Sequence, residues 1–257
     1  SGSGKSLTAL AILGLLPDTA VTGGSVLWNG RELLGLPEKE LAQVRGDDIG
    51  IVFQEPRTAL NPIRTVGRQI AESVRIHQRM SKADAWQRAI AEARRVALPD
   101  PETIVKRYPH QLSGGQRQRV ATAIALACDP RLLIADEPTT ALDVTIQAEV
   151  LELLRDLVTD AGMSLVFITH DLAVVANMCT RVLVMNQGVV VEEGTTEDVF
   201  TRPQHPYTRG LLAASDLDAV DANGRLFTVA TAQEYVPPTV SSTSAQQDPA
   251  GDAAAEP

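Results

Sequence analysis

Four apolar residues followed at once by two acids, Leu132-Leu133-Ile134-Ala135-Asp136-Glu137, restrict what this chain can fold into more than any other stretch. A run that is apolar at successive positions reads as a strand buried on both faces, the kind found in parallel sheets covered by helices. Open α/β sheets bind ligands at the carboxyl ends of such strands, and here that end carries two carboxylates. Adjacent side chains on a strand point to opposite faces, so the two acids take different tasks unless the strand ends between them. We expect Asp136 to belong to the coordination sphere of a Mg²⁺ ion, through water, and Glu137 to polarise an attacking water. A positioned general base of that kind contributes about 10²- to 10⁴-fold to a rate. The alternative reading is that the pair only caps the following segment.

The rest of the chain alternates in the same sense. Runs at 49–53, 165–169 and 181–185 join 132–135 as strand candidates, with helical stretches between them, the pattern of a mostly parallel sheet with covering helices. Residues 25–29, before Gly30, form a further short strand. Asn186-Gln187-Gly188 followed by Val189-Val190-Val191 signals a hairpin and a small antiparallel β part. Between Pro62 and Leu112 the period turns helical. Ser81-Lys82-Ala83-Asp84 reads as a capping box that opens a helix to about Ala97, and Pro99, Pro101 and Pro109 then break the chain. This points to an α-helical subdomain inserted in an α/β core. The expected division is a core at 1–61 and 119–195, a helical subdomain at 62–118, an extension at 196–236, and a tail at 237–257. The tail, with no apolar period, is expected to be disordered.

Composition excludes some classes. The apolar runs are of strand length, far short of the roughly 20 residues of a membrane span, and no leader-like start is visible. Any membrane association is therefore expected to run through a partner. Cys128 and Cys179 match no metal-ligand spacing, and Cys128 reads as small core filler in a reducing compartment. The net charge is −9, and the residues from Ala213 onward, with seven acids and one Arg, carry −6 of it. Nothing forms a basic track for nucleic acid. A polyanion could be held only by aimed N–H groups and a few placed cations.

Ser1-Gly2-Ser3-Gly4-Lys5-Ser6 supplies them. It matches the last six positions of the phosphate-loop pattern G-x-x-x-x-G-K-[ST]. Small residues let backbone N–H groups turn toward phosphate oxygens, and the helix expected from Leu7 to about Leu16 adds its positive end. Lys5 would neutralise β- and γ-phosphates, and the Ser6 hydroxyl would hold Mg²⁺. Taken alone, these six residues could also be a Gly/Ser linker. Leu112-Ser113-Gly114-Gly115-Gln116, followed by Arg117-Gln118-Arg119, opens a helix expected to run to about Cys128. Its N–H groups and dipole form a second anion site.

That second motif, 23 residues before Asp136, resembles the signature of ABC ATPases, and with it the chain resembles that family over roughly residues 1–212. The resemblance implies a P-loop NTPase (RecA-like) core. It also implies a head-to-tail dimer in which Ser113, Gly114, Gly115 and Gln116 of one subunit close over the ATP held by the phosphate loop of the other. The remaining markers stand in family order. Gln54 looks like the Q-loop glutamine, which touches the Mg²⁺ shell and senses the membrane domains. Ala141-Leu142-Asp143 looks like the D-loop, which links the two sites. His170, in Thr169-His170-Asp171, looks like the switch histidine at the γ-phosphate. His77, His110 and His205 have no such context and are given no catalytic role.

The stretches 53–62, 108–111 and 202–212 narrow the resemblance to the dipeptide/oligopeptide/nickel importer branch, and make 196–236 an extension of the peptide-importer type. That branch implies ATP and Mg²⁺, a second ABC ATPase subunit (identical or related), two integral membrane permease subunits and, indirectly, an extracytoplasmic solute-binding protein. It implies no nucleic acid and a peripheral place on the cytoplasmic face of the inner membrane. The cargo stays open between dipeptide, oligopeptide, nickel and glutathione. A soluble non-transport ABC ATPase, a catalytically dead regulatory cassette and half of a fused two-cassette protein are the other readings. Two departures bear on the resemblance. An adenine-stacking aromatic and the first loop glycine are not in the sequence, so the chain looks like a fragment. Some relatives carry cysteines that hold an iron–sulfur centre, but here no cysteine follows Cys179, so no such cluster is expected.

Overall fold

The computed structural model of the chain describes residues 2–55, 59–140 and 142–215. Helix α1 (Lys5–Ile12) leads to a two-stranded hairpin, β1 (Leu27–Trp28) and β2 (Arg31–Glu32). The strand expected at 25–29 is shorter because Asn29 (φ 49°) and Gly30 (φ 80°) turn the chain back. Helix α2 (Glu38–Asp47), not foreseen from the sequence, is interrupted at Arg45 and Gly46.

Strands β3 (Ile49–Val52), β4 (Leu132–Asp136) and β5 (Ser164–Ile168) form a parallel sheet in the order β3-β4-β5. Ile51 is opposite Ile134, and Ile134 is opposite Val166. Alternate residues of β4 serve opposite faces, as the pleat requires. Leu133 packs with Val120, Leu126 and Leu154 on one side; Ile134 packs with Ala9, Leu13 and Ile49 on the other. Both side chains are fully buried. The continuous apolar run thus has the cause inferred for it: helices cover both faces.

Between β3 and β4 lie α3 (Val66–His77), α4 (Lys82–Arg95), α5 (Pro101–Ile104), a 3₁₀ turn (Pro109–Gln111) and α6 (Gly114–Leu126). Ser81 caps α4 by accepting from the Asp84 N–H at 3.1 Å, as its sequence position suggests. The Arg119 guanidinium, on α6, donates to the carbonyls of Val96 and Ala97 (3.1 and 3.3 Å) and pairs with Glu149 at 3.0 Å. It joins the end of α4 to α7 (Val144–Ala161), the helix that follows β4. Then come α8 (Leu172–Met178), the antiparallel pair β6 (Arg181–Asn186) and β7 (Val189–Thr195), α9 (Thr196–Thr201) and α10 (Pro206–Ser215). The expected hairpin turns on Gln187 (φ 47°) and Gly188 (φ 82°), two consecutive left-handed residues. The disordered tail expected at 237–257 lies outside the described residues.

Candidate active site

The carboxyl ends of β3, β4 and β5 and the start of α1 meet at one edge of the sheet. Gly2 (φ 88°) and Gly4 (φ 87°) hold the left-handed conformations that turn a loop's N–H groups to one side, and Gly4 opens α1 without any side-chain cap. A helix start left uncapped, with Lys5 as its first residue, suits an anion. The neighbouring hairpin steadies this loop, since the Gly188 N–H donates to the Ser3 carbonyl at 3.2 Å. Ser1 lies outside the described residues.

The Ser6 hydroxyl donates to Asp136 Oδ1 at 2.9 Å. These two hard oxygen donors, from the helix start and the strand end, are the donor chemistry Mg²⁺ takes when it keeps most of its waters. Asp136 is buried, and that burial raises its pKa. The Ser6 hydrogen bond opposes the rise, the neighbouring Glu137 charge adds to it, and Lys5 opposes it. A carboxylate held in that balance gains from a divalent cation beside it.

The strand ends after Asp136. Glu137 takes φ 45°, and its N–H donates to the Ile168 carbonyl at 2.8 Å. A non-glycine residue in that region costs about 1–3 kcal/mol, a cost tolerated mostly where function needs it. The turn releases Glu137 from the alternation and aims its carboxylate across the carboxyl ends of β3 and β5. Oε2 accepts from Gln54 Nε2 and from the Thr140 hydroxyl, both at 2.9 Å, and His170 Nδ1 lies 3.3 Å from Oε1. Burial acts to raise the pKa of Glu137, but the hydrogen bonds from Thr140 and His170, with the charges of His170 and Lys5, outweigh it and lower the pKa. The carboxylate is thus kept ionised and pointed, with His170 reaching it from the solvent side.

The Gln54 amide, expected beside the Mg²⁺ shell, donates to Glu137, the residue that follows Asp136. Thr140 was missed. No motif or period marks it: its hydroxyl meets the Glu137 carboxylate only because Glu137 turns into the left-handed region.

Ser113 and Gly114 lie exposed at the start of α6, and the turn faces outward. Ser113 Oγ accepts from the Gln116 N–H at 3.3 Å, and Gln116 Oε1 accepts from the Ser113 N–H at 3.1 Å, a reciprocal cap. Arg117 holds the approach to this turn by donating to the carbonyls of Pro109 (2.9 Å) and Leu112 (2.7 Å). Among the described residues no hydrogen bond or ion pair joins Ser113, Gly114, Gly115 or Gln116 to the phosphate loop. Asp143 caps α7 by accepting from the Ile146 N–H at 3.0 Å. Ala141 and residues 56–58 of the stretch at 53–62 lie outside the described residues.

Residues 1–140 match the family described as ABC transporter, and residues 191–233 match the C-terminal region of oligopeptide/dipeptide transporters. Over 214 residues the chain is 56% identical to the probable peptide ABC transporter ATP-binding protein y4tR of Sinorhizobium fredii, covering 82% of this chain and 64% of that protein. It is 50% identical to the oligopeptide transport ATP-binding protein OppD of Escherichia coli K12 (87% of this chain, 66% of that protein). It is 54% identical to the glutathione import ATP-binding protein GsiA of the same strain (83% and 36%). The chain therefore spans from about a third to two thirds of the length of these relatives. Among solved structures, the dimeric post-hydrolysis state of the ATP-binding cassette MJ0796 with ADP and Pi aligns at TM-score 0.66 and 33% identity, covering 76% of this chain and 81% of that one. The fold is thus that of a P-loop NTPase cassette, as the sequence suggested.

Proposed function

The chain belongs to the ABC transporter family, and on that footing we propose that it is an ATP-binding and ATP-hydrolysing subunit that powers an importer of dipeptides or oligopeptides. The observation that carries the catalytic part is the convergence on Glu137. Gln54 from the end of β3, Thr140 from the turn after β4 and His170 from the end of β5 all address one carboxylate, beside the Ser6–Asp136 pair.

In this reading the Gly2–Ser6 loop and Lys5 bind the triphosphate, and Ser6, with Asp136 through water, would hold Mg²⁺. The ion would neutralise charge on the phosphate oxygens. Glu137 accepts a proton from the attacking water, Gln54 and Thr140 fix the carboxylate, and His170 stands between Glu137 and the solvent side. Positioning and charge stabilisation are enough for phosphoryl transfer, which asks little covalent chemistry of the protein. The exposed Ser113 turn would close over the nucleotide of a second cassette, identical or related. The dimeric state of the solved relative supports this.

Among the described residues no helix is long and apolar enough to cross a membrane. We propose attachment through two permease subunits at the cytoplasmic face, fed by a solute-binding protein; the likeness to transporter ATP-binding proteins supports it. The division into core, helical subdomain and C-terminal extension is proposed on the same basis. The match at 191–233 favours peptide cargo, and the likeness to the glutathione import protein supports glutathione, itself a small peptide, as a second reading. The test is ATP turnover by the complete transporter in vesicles. Turnover stimulated by a binding protein loaded with peptide is expected; full turnover that ignores peptide and membrane subunits alike would contradict the reading.

A further inference from the structure

The starts of α6 and α7 lie against each other, and at Gly115 there is no room for a Cβ. A Cβ built on Gly115 would stand 2.7 Å from Ile146 Cγ2, and one built on Gly114 would stand 3.7 Å from Leu142 Cδ2. The Gly115 contact is not with the loose end of a flexible side chain. Cγ2 is a branch on Cβ, and a β-branched residue in a helix has one strongly preferred rotamer. Ile146 is also fixed from its own side, because its N–H is the one that Asp143 accepts. One turn further along both helices, Arg119 pairs with Glu149 at 3.0 Å, so the contact continues in register.

We propose that Gly115 is a packing glycine that joins the Ser113 turn to the Asp143 turn of the same subunit, so that the two helix starts move as one body. This rests on the reading that the Ser113 turn serves the nucleotide of a neighbouring cassette. It makes Ile146 a wall against which only a glycine lets the Ser113 turn sit in place, with no hydrogen bond needed between the two turns. Gly115 has a rival explanation: that position lacks a side chain only so that the backbone can approach a phosphate. The two explanations differ in what happens when Ile146 is cut back.

The test uses Gly115→Ala, Ile146→Ala and the double variant in the complete ATPase assembly. Gly115→Ala should lower kcat by about 10²-fold, the scale of an ångström-size misplacement, while ATP affinity at the Lys5 site holds. Ile146→Ala alone should keep most activity. The double variant should recover to within about threefold of Ile146→Ala, and thermal unfolding of the four proteins should show the same coupling. A double variant as inactive as Gly115→Ala, or a Gly115→Ala protein with normal kcat, would overturn the proposal. Absence of ATP turnover in the unsubstituted assembly would instead count against the ATPase reading, and the unfolding cycle would still report whether the two helix starts are coupled.

Discussion

Ser6 and Asp136 are 130 residues apart in sequence, yet the hydroxyl of one donates to the carboxylate of the other at 2.9 Å. That bond ties the first turn of α1 to the end of β4 and sets two hard oxygen donors side by side. Ser6→Ala removes one of them. The Mg²⁺ concentration giving half-maximal turnover should rise on the order of 10- to 100-fold, as when a metal site loses a supporting group. An unchanged Mg²⁺ titration would remove Ser6 from the cation's shell.

Glu137 should carry the water-activating step. Glu137→Gln keeps the size and most hydrogen-bonding capacity of the side chain and removes its basicity. Turnover should fall by about 10²- to 10⁴-fold, with ATP still bound. Brisk hydrolysis by this variant would exclude Glu137 as the base.

The pH dependence follows from what surrounds that carboxylate. Burial pulls its pKa up, and the hydrogen bonds from Thr140 and His170, with nearby positive charge, bring it below the ordinary glutamate value. A carboxyl with a depressed folded pKa adds stability that is present above the unfolded pKa and lost as pH falls through the folded one. The active ionised form likewise persists further into acid. Thr140→Val deletes one of the lowering bonds, so the acid limb of kcat against pH should move toward neutrality. A superimposable profile would show that Thr140 does not tune Glu137.

Stability should respond sharply at Gly50. A Cβ there would stand 2.4 Å from the Ala125 carbonyl oxygen, a backbone atom that cannot swing aside. Gly50→Ala should therefore cost about 1–3 kcal/mol, the scale of overpacking, and lower Tm by roughly 2–4 °C for each kcal/mol. Gly23→Ala, with nothing within 4 Å of its added carbon, is the control and should stay within about 0.5 kcal/mol. Equal melting of the two variants would contradict the close β3–α6 approach.

Much of this architecture was legible in the residues. The run at 132–136 is apolar on both faces because helices lie on both faces, and local pattern alone conveys that. The cap at Ser81, the hairpin at Gln187–Gly188 and the helix opening after Ser113 were legible for the same reason: each is specified by a few adjacent residues. What escaped was of two kinds. Helix α2 carries Leu41 and Val44 toward the core at helical spacing, but it is short and breaks at Gly46, so its period is weak. The cluster on Glu137 depends on a left-handed turn and on three elements distant in sequence. Motif order placed Gln54, Glu137 and His170 near one another; only the fold shows that Gln54, His170 and Thr140 all address the Glu137 carboxylate.

Two anion-cradling helix starts, at Lys5 and at Ser113, are proposed to serve one triphosphate from different subunits. The most direct test of this is sedimentation of the Glu137→Gln protein with its second cassette, with and without ATP, compared with the same protein carrying Ser113→Arg as well. ATP should drive association in the first case; in the second, ATP should still bind while the cassettes stay apart. Association that is indifferent to ATP, or indifferent to the arginine at full ATP occupancy, would contradict it.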